Sequence, residues 1–552
     1  MTFFPSAASR PGGRILPVAL AGALGLWLGF PNDLAGIPPL VLLWPLALAW
    51  LGLHAATRGA AMRYGWLTSL AGSIAALYWL SLPVHNVGGL PWLLAVPCAL
   101  LIAACISSAG GFFSVAAHLL RHRPPWLWAV MLGLLWYVLE AVYALVLGFP
   151  WLELSGALAA WPLLVQGADA IGSYALAGLW TTIALWCGLA LLPHPAQTAP
   201  AAEKNMRQNG KAAHNCRMPW RPACLASGLL MAALLLGYGA LRMHRQPLTS
   251  DPGGPQSVLA LFVEGNVDQN QKWLPAFQRQ TVDLYLKLTY DALAQKPDER
   301  PLIIWPETAL PFFFETNQLH SPRVRQLPAI TGCPLLLGAP GVERLPDKKE
   351  PAVFNRAFLL TPPSGEAAAH YDKEHLVPFG EYLPEWLNWG FLEALLQGVG
   401  VYETGTAIAP LRYGNLALGM LICYEGIFPW LAQARVQDGA NILVDISNDG
   451  WFGATPAARQ HLYLTVLRAL EQNRWILRGT NTGISVVVDS RGRLVMRGDQ
   501  FREQAIWGRA ALESRPSLYH RLWPWPLPAA AALLTGLVLW GPGGSIRRRT
   551  RI

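Results

Sequence analysis

The first candidate for chemistry is a cysteine at the end of a short, very apolar run. The run Leu416–Ile422 carries almost no polar atoms, and Cys423 follows it directly. Such a run is typical of a strand buried on both faces. Pro429 suits the first turn of a following helix, so the pattern predicts that Cys423 lies on a strand-to-helix turn. A lone cysteine is more often a small buried hydrophobe than a nucleophile, so its neighbours must decide its role.

Other polar side chains have the same placement at predicted strand ends. Glu307 follows a short apolar strand in LIIWPE, and Asn448 follows the strand in ILVDIS. Lys373 and Glu381 share the segment YDKEHLVPFGEYLP. Because ligand sites in α/β sheets form at the carboxyl ends of strands, these side chains are expected to converge.

A carboxylate, an ammonium and a thiol can together perform acyl transfer through a covalent intermediate. The thiol needs a base, and a carboxylate in an apolar pocket can have its pKa raised enough to serve as that base. A fixed ammonium can hold the oxyanion of a tetrahedral intermediate. The residues therefore predict that Glu307, Lys373 and Cys423 act as one group.

The elements that must position this group belong to a soluble α/β domain within a membrane protein. The chain has 552 residues, of which 53% are hydrophobic and only 14% are charged, a composition typical of membrane proteins. Residues 255–512 differ, because short strand-like runs alternate there with helical patterns. We therefore expect a membrane domain at 1–245, a soluble domain at 255–512, and a last span with a basic tail at 521–552.

Eight apolar segments are expected to cross the membrane. A bilayer core of about 30 Å requires about 20 helical residues. The expected spans are 15–30, 36–55, 64–84, 89–120, 125–147, 164–192, 223–243 and 525–540. Glu140 lies within the fifth, where an acid is functional or forms a structural hydrogen bond to a neighbouring helix.

The charge pattern predicts the orientation of the spans. Lys and Arg cluster before span one, after spans two, four and six, and in the tail, whereas the loops after spans one, three and five have none. By the positive-inside rule both termini are cytoplasmic and residues 255–512 lie on the far side. The same distribution explains the net charge of +9 without nucleic acid. A domain outside the cytoplasm has no ATP supply, so its reaction should use bond energy already present in its substrates.

The cysteine pattern argues against a metal site and a disulfide framework. The seven cysteines show no CxxC motif and no pairing with histidines. Only Cys333 and Cys423 belong to the soluble part. We predict that these two are not bridged, because a disulfide would remove the nucleophilic thiolate. No metal and no cofactor are expected.

Several motifs resemble those of the nitrilase, or carbon-nitrogen hydrolase, superfamily. They are WPE around Glu307, YDKEHLVPFGEY around Lys373 and LICYE around Cys423, in that order. VEGN before residue 267, SNDGWFG after residue 446 and the eight spans resemble the membrane-bound branch that acylates lipoproteins. This resemblance implies a four-layer αββα sandwich and a ping-pong acyl transfer.

The resemblance also assigns roles to residues of this sequence. Cys423 would be the nucleophile, Glu307 the general base and Lys373 the oxyanion stabiliser. Supporting residues would be Glu381, Glu425 and Tyr424. The substrate contacts would be Trp273, Asn266, Asn448, Trp386 and Trp389.

The substrates and location implied by the resemblance are equally specific. The acyl donor would be a phospholipid, phosphatidylethanolamine, and the acceptor the α-amino group of a diacylglyceryl-cysteine apolipoprotein. The enzyme would be a monomer in the cytoplasmic (inner) membrane, with its catalytic domain on the periplasmic side. Two positions depart from the family pattern: Glu264 replaces a more usual Gln, and no basic residue follows Glu140 in span five.

Two apolar stretches outside the spans, 382–402 and 311–314, are unusual for loops of a soluble domain. We interpret them as arms that dip into the outer leaflet or line an acyl channel. Packing within the domain core is the alternative.

Two other functions remain open on the sequence. A membrane-tethered amidase or nitrilase would pass its acyl group to water. A polytopic transporter or receptor with an external binding domain would not need Glu307, Lys373 and Cys423 at all.

Overall fold

The computed structural model describes residues 12–86, 88–191, 220–244, 256–346, 348, 350–378, 380–382 and 402–540. Trp386, Trp389 and most of the apolar stretch 382–402 lie outside the described residues.

The chain begins with a bundle of apolar helices. Its helices are α1 (Gly12–Gly29), α2 (Leu43–His54), α3 (Arg58–Leu77), α4 (Ser81–Asn86), α5 (Trp92–Leu119), α6 (Pro125–Leu147), α7 (Leu154–Leu158), α8 (Ala168–Ile171), α9 (Ser173–Leu191) and α10 (Trp220–His244).

Five helical segments of the described residues are long and apolar enough to cross a membrane. They are Arg58–Asn86, Trp92–Leu119, Pro125–Leu147, Ser173–Ala190 and Trp220–His244. The other three predicted spans coincide with shorter apolar helices, Gly13–Gly29, Pro38–His54 and Pro526–Leu539. At about 1.5 Å per residue, the 14-residue helix Pro526–Leu539 extends for about 21 Å, less than a bilayer core.

The predicted sixth span begins later than the sequence indicates. The stretch 164–192 was expected to be one helix, but the chain breaks at Gly172, and α9 begins at Ser173. Gly172 has a φ of +82°, and a Cβ there would lie 2.4 Å from the Tyr519 ring. The predicted start of span six at residue 164 was therefore wrong, because hydropathy alone does not reveal the close approach of Gly172 to Tyr519.

The soluble part contains two sheets of six strands. Its strands are β1 (Ser257–Glu264), β2 (Leu302–Ile304), β3 (Leu335–Glu343), β4 (Ala352–Leu360), β5 (Ala367–Asp372), β6 (Leu411–Tyr413), β7 (Leu416–Ile422), β8 (Ile442–Ser447), β9 (Ile476–Thr480), β10 (Val486–Val488), β11 (Leu494–Arg497) and β12 (Gln504–Ala511). The strand orders are β12-β1-β2-β3-β4-β5 and β11-β10-β9-β8-β7-β6. Strands β1, β2 and β3 are parallel, as are β7, β8 and β9.

Helices cover the outer faces of both sheets. They are α12 (Pro275–Ala294), α13 (Ser321–Thr331), α14 (Pro429–Gln437) and α15 (Ala457–Gln472). The same part of the chain contains the short helices α11 (Gln269–Lys272) and α16 (Leu518–Leu522), and α17 (Pro526–Leu539), which follows it, packs against α6 of the helical bundle.

The two sheets pack face to face through alternate side chains. Phe262 and Ile304 of one sheet share a buried cluster with Met420 and Val444 of the other. Side chains on the opposite face of the first sheet, such as Ile303, pack against α12 and α13. The opposite face of the second sheet packs against α14 and α15. This is the expected four-layer αββα arrangement.

Helix α15 joins the soluble part to the helical bundle. The side chain of Gln460 forms four hydrogen bonds across this junction. Its Oε1 accepts from Trp79 Nε1 (3.1 Å) and Trp151 Nε1 (2.8 Å). Its Nε2 donates to the carbonyl oxygens of Pro31 (3.0 Å) and Ala76 (3.1 Å). Because these buried polar groups satisfy one another, the soluble part and the bundle form a fixed interface.

The stretch 311–314 does not form a membrane arm. Phe312 and Phe314 are buried in the cluster between the first sheet and its helices, and only Phe313 is exposed. The interpretation of these aromatics as lipid-facing was therefore wrong, because the domain core takes two of the three.

Candidate active site

Cys423 lies where the sequence predicts, on the turn between β7 and α14. Its φ of +55° is in the left-handed region, which is unusual for a residue with a side chain. The backbone amide donates to Asp445 Oδ1 (3.1 Å), and the carbonyl oxygen lies 3.1 Å from His461 Nε2. Two side chains therefore hold the turn in this strained conformation. The residue is 7% exposed.

Glu307 follows β2 at the carboxyl end of the first sheet. Its Oε1 accepts a hydrogen bond from Asn355 Nδ2 (2.8 Å), whereas Oε2 has no hydrogen-bond donor among the described residues. The next residue, Thr308, has a φ of +45°. Gly338 of β3 permits this tight turn, since a Cβ there would lie 2.6 Å from the Thr308 amide nitrogen.

Lys373 follows β5 and is buried between two carboxylates. Its Nζ lies 2.8 Å from Glu381 Oε1 and 3.6 Å from Glu307 Oε1. Asn355 Nδ2 also donates to Glu381 Oε1 (2.8 Å), so one amide bridges both acids. The Val377 amide holds the second oxygen of Glu381 (2.8 Å). Glu307 thus forms one buried cluster with Lys373 and Glu381, although it is distant from both in sequence.

The charges of this cluster act on the cysteine thiol. Burial raises the pKa of Cys423 well above its usual value, and the Glu307 carboxylate raises it further, while Lys373 opposes the shift. Burial also raises the pKa of Glu307, against the effect of Lys373. Burial disfavours the charge on Lys373, but Glu381 and Glu307 outweigh it, and its pKa is raised. At neutral pH the resting site therefore holds a neutral thiol and a charged ammonium.

This arrangement suits nucleophilic attack with concerted proton removal. A neutral thiol requires a base at the moment of attack, and Glu307 Oε2 is an acceptor with no donor from the described residues. The Cys423 amide is already bonded to Asp445, which leaves the Lys373 ammonium to stabilise a developing oxyanion.

Glu425 is completely buried and connects two backbone segments. Its Oε2 accepts from the Ile422 amide (2.7 Å), and its Oε1 from the amides of Glu374 (2.7 Å) and His375 (3.0 Å). The Tyr371 hydroxyl donates to the same carboxylate (2.8 Å). Glu425 thus fixes the chain before Cys423 against the chain after Lys373, and this geometry favours a positioning role.

Tyr424 connects the cysteine turn to the helical bundle. Its hydroxyl donates to the carbonyl oxygen of Gly148, the left-handed residue that ends α6. Its ring meets the Phe428 ring edge-on at 5.0 Å and lies parallel to His375 at 5.9 Å. The turn that carries the thiol is therefore attached directly to a membrane helix.

Of the predicted substrate contacts, the structure describes Trp273, Asn266 and Asn448, which differ in exposure. Trp273 is 43% exposed. Asn448 donates to Gln269 Oε1 (2.7 Å) and its Oδ1 accepts from Asn481 Nδ2 (3.3 Å). The Asn266 amide donates to the Asn481 carbonyl (3.2 Å). Asn481 thus joins the ends of β1 and β8, and the hydrogen bonds of Asn266 and Asn448 point to a role in holding these strand ends.

The sequence did not single out Lys272, which is buried beside Glu307. Its Nζ donates to Thr308 Oγ1 (2.7 Å) and to the Glu307 carbonyl (3.4 Å). Burial lowers the pKa of Lys272 to about 7, against the effect of Glu307. Its position beside the exposed Trp273 in QNQKW gives no sequence signal of burial, because lysine is usually a surface residue.

A second unexpected group lies behind Cys423. The Arg478 guanidinium pairs with Asp445 and with Asp449 (3.2 Å), and His461 Nδ1 lies 3.0 Å from Asp449 Oδ1. Burial opposes ionisation of Asp449, but Arg478 outweighs it and lowers the pKa of Asp449 to about 2. An Arg in the apolar run WILRGT was the available signal, since a charge in a buried strand requires a partner.

Three residues on β3 and β5 that could together bind a metal ion lie next to an arginine side chain. Glu343, His370 and Asp372 lie within reach of one another. The Arg356 guanidinium bonds to Asp372 (2.5 Å) and to Glu343 (3.3 Å). These acids thus neutralise an arginine. Cys333 and Cys423 are free thiols, as predicted.

Comparisons with known proteins identify the two parts. Residues 269–515 match the carbon-nitrogen hydrolase family, and residues 21–187 match the apolipoprotein N-acyltransferase N-terminal domain. The apolipoprotein N-acyltransferase of Geobacter metallireducens is 34% identical over 530 residues, covering 95% of this chain and 94% of that protein. The protein of the same name from Azotobacter vinelandii is 31% identical, covering 96% of each chain. Saccharomyces cerevisiae Nit3, of the nitrilase superfamily, aligns with 54% of this chain and 99% of its own, with 17% identity and a TM-score of 0.35. Because relatives at this identity cover nearly its whole length, the chain belongs to the apolipoprotein N-acyltransferase family.

Proposed function

We propose that this protein is a membrane enzyme that transfers a fatty acyl chain from a phospholipid to the α-amino group of an apolipoprotein's diacylglyceryl-cysteine, through a thioester on Cys423. The observation that carries the proposal is the buried cluster of Glu307, Lys373 and Glu381, in which the charges of Glu307 and Lys373 act on the Cys423 thiol. Family membership supports the reaction class.

The first half-reaction forms the thioester. As the Cys423 sulfur attacks the ester carbonyl, Glu307 Oε2 takes the thiol proton, and the Lys373 ammonium faces the oxyanion. The tetrahedral intermediate then collapses with cleavage of the ester C–O bond. Glu307 returns the proton to the leaving alkoxide, so a lysophospholipid departs and the carboxylate is restored.

The second half-reaction passes the acyl chain to the amine. The neutral α-amino group attacks the thioester carbonyl, Glu307 removes a proton from the nitrogen, and the C–S bond breaks. The proton returns to the sulfur, so amide and thiol are the products. No nucleotide is consumed, because a thioester retains enough transfer free energy to acylate an amine.

Burial of the site favours the amine over water as acceptor. Glu307 is 4% exposed and Lys373 is 1% exposed. The thiol lies on a turn that Tyr424 ties to the end of α6. A site enclosed in this way, beside a membrane helix, admits acceptors that arrive with lipid chains more readily than bulk water.

The finer assignments of substrate and location belong to the same proposal. The donor is phosphatidylethanolamine, the enzyme is a monomer, and it resides in the inner membrane. The membrane domain occupies 1–245, the soluble domain 255–512, and the last span with its tail 521–552. The soluble domain is periplasmic, and both termini are cytoplasmic. The basic loops between spans support this orientation.

Labelling of single introduced cysteines tests the orientation. In a background without the natural cysteines, Asp298→Cys places a thiol on the exposed surface of the soluble domain, and His122→Cys places one in a basic loop. A membrane-impermeant maleimide added to intact spheroplasts should label the first variant and leave the second unlabelled until the membrane is opened. The reverse pattern would place the soluble domain in the cytoplasm.

Acyl transfer itself is tested with the purified full-length protein. Phospholipid with a labelled acyl chain and a diacylglyceryl-cysteine peptide should yield a labelled N-acyl peptide, whereas a peptide with an acetylated N-terminus should remain unlabelled. An amidase would instead release ammonia from small amides without phospholipid turnover. A transporter or receptor would turn over neither substrate.

A further inference from the structure

The side chain of Ser447 lies beside the Cys423 thiol at the carboxyl edge of the second sheet. Strands β7 and β8 are parallel and Ile422 pairs with Ile446, so the residues that follow them, Cys423 and Ser447, are neighbours. Ser447 is fully buried. Burial raises the pKa of the Cys423 thiol, and hydrogen bonding to Ser447 is one of the effects that oppose this rise. A hydroxyl is therefore within reach of the sulfur that the proposed reaction acylates.

Two charged groups hold the Ser447 hydroxyl in place. Its oxygen accepts a hydrogen bond from the Arg478 guanidinium (3.3 Å), and the hydroxyl donates to Asp449 Oδ1 (3.1 Å). The Asp449 carboxylate does not depend on this donor, because the Arg478 guanidinium bonds to both of its oxygens at 3.2 Å. The hydroxyl can therefore turn its single proton toward the sulfur while its oxygen stays fixed and Asp449 keeps a donor.

A donor beside the sulfur matters most when the sulfur is the leaving group. In the first half-reaction the alkoxide departs and the sulfur stays bonded to carbon, so little charge collects on it. In the second, the C–S bond breaks and its electron pair passes to the sulfur. Burial disfavours this anion, and the Glu307 and Asp449 carboxylates disfavour it further. Lys373 opposes them, but in the proposed mechanism it faces the carbonyl oxygen. The leaving sulfur thus benefits from a donor of its own.

We propose that Ser447 is a catalytic residue whose hydroxyl donates a hydrogen bond to the Cys423 sulfur as the acyl chain passes to the amine. This inference rests on the proposed function, since it concerns the second half-reaction. The amine nitrogen bonds to the thioester carbon, the C–S bond breaks, and the proton that Glu307 takes from the nitrogen ends on the sulfur. Ser447 keeps its own proton throughout, so it stabilises the leaving thiolate and is unchanged at the end.

Alkylation of the thiol tests the hydrogen bond without any lipid substrate. Full-length wild type and Ser447→Ala are treated with iodoacetamide in detergent, at a pH below the raised pKa of the thiol, and modification of Cys423 is followed by peptide mass spectrometry. Because a donor stabilises the thiolate, its removal should raise the thiol pKa and slow alkylation by about three- to tenfold. Ser447→Thr, which keeps a hydroxyl, should react at the wild-type rate. Equal rates in wild type and Ser447→Ala would overturn the proposal.

Single-turnover rates of the two half-reactions assign the effect to the leaving sulfur. Ser447→Ala should form the acyl-enzyme from labelled phospholipid within about threefold of the wild-type rate. It should pass the acyl chain to the diacylglyceryl-cysteine peptide about ten- to hundredfold more slowly. The acyl-enzyme should therefore accumulate during turnover, which a general loss of structure would not produce. Equal slowing of both half-reactions would show that Ser447 has only a structural role.

The matched control is Ser490→Ala. Ser490 is also buried (4% exposed), but it follows β10, which runs antiparallel to β9 and therefore ends at the edge of the sheet opposite to Cys423. Both half-reactions and the alkylation rate should keep their wild-type values in this variant. If wild type forms no acyl-enzyme while Ser447→Ala still slows alkylation, the proposed function fails but the hydrogen bond to the sulfur stands.

Discussion

Replacement of Cys423 by alanine is expected to lower acyl transfer by at least about 10³-fold and to remove the acyl-enzyme completely. Loss of a covalent nucleophile takes away the whole two-step path, so only the residual effect of the other groups remains. Wild-type protein incubated with labelled phospholipid and no acceptor should retain one acyl group that hydroxylamine releases. The variant should retain none, because no other thiol lies beside Glu307 and Lys373 among the described residues.

Cys333→Ala is the matched control for this result. Cys333 is the other thiol of the soluble domain and is buried among the side chains beneath α13, with its Sγ 3.5 Å from the Thr331 carbonyl oxygen. Its loss creates only a small cavity, so acyl-enzyme formation should persist. Label that remains on Cys423→Ala, or disappears from Cys333→Ala, would show that the nucleophile has been assigned incorrectly.

The strands with continuous apolar runs could be predicted from the sequence because their pattern leaves few alternatives. Strand β7 has the predicted bounds, and all seven of its residues are buried. Strand β9 was missed because Arg478 interrupts its apolar pattern. That arginine is buried only because Asp445 and Asp449 neutralise it across the sheet, and such a pairing is not visible in a local window.

The sheet order could not be predicted for a similar reason. Strand β12 pairs with β1 although nearly the whole soluble domain separates them in sequence. Its segment QAIWGRAA mixes charged, polar and apolar residues, since part of it faces solvent. Pairing between distant strands is decided by the final packing of the two sheets, and no residue of either strand specifies its partner.

The residues of the candidate site that directly follow strands could be predicted from the sequence. Glu307 and Cys423 follow strands, and the common edge of a sheet brings such residues together. Lys272 and His461 come from helices, where spacing along the chain does not show which side chain turns toward the site. The anchoring role of Glu425 was likewise hidden, because it depends on backbone amides of a loop that is distant in sequence.

Glu307→Gln is expected to slow formation of the acyl-enzyme by about 10² to 10⁴-fold, the usual contribution of a general base. The amide keeps an oxygen for Asn355 and nearly the same volume, so the protein should fold. The rate is best measured in a single turnover with labelled phospholipid. The exposed Glu299, paired with Arg509 at 2.9 Å, provides the control Glu299→Gln, whose rate should equal that of wild type. A Glu307→Gln rate within about threefold of wild type would exclude Glu307 as the base.

The pH dependence of the rate of acyl-enzyme formation tests whether Glu307 must be deprotonated for the reaction. A base acts when deprotonated, so the wild-type rate should rise with pH through the pKa of Glu307, which burial raises above its usual value. The Lys272 ammonium lowers the pKa of Glu307, and therefore Lys272→Met should move the rising limb of the profile to higher pH. Glu307→Gln should lose this limb altogether. Because burial lowers the pKa of Lys272 itself to about 7, the difference between wild type and Lys272→Met should be largest in acid and should fade above neutrality, where Lys272 is already uncharged. If the pH profile of Lys272→Met equals that of wild type, Lys272 does not affect the pKa of Glu307. Its role would then be limited to the hydrogen bond with Thr308.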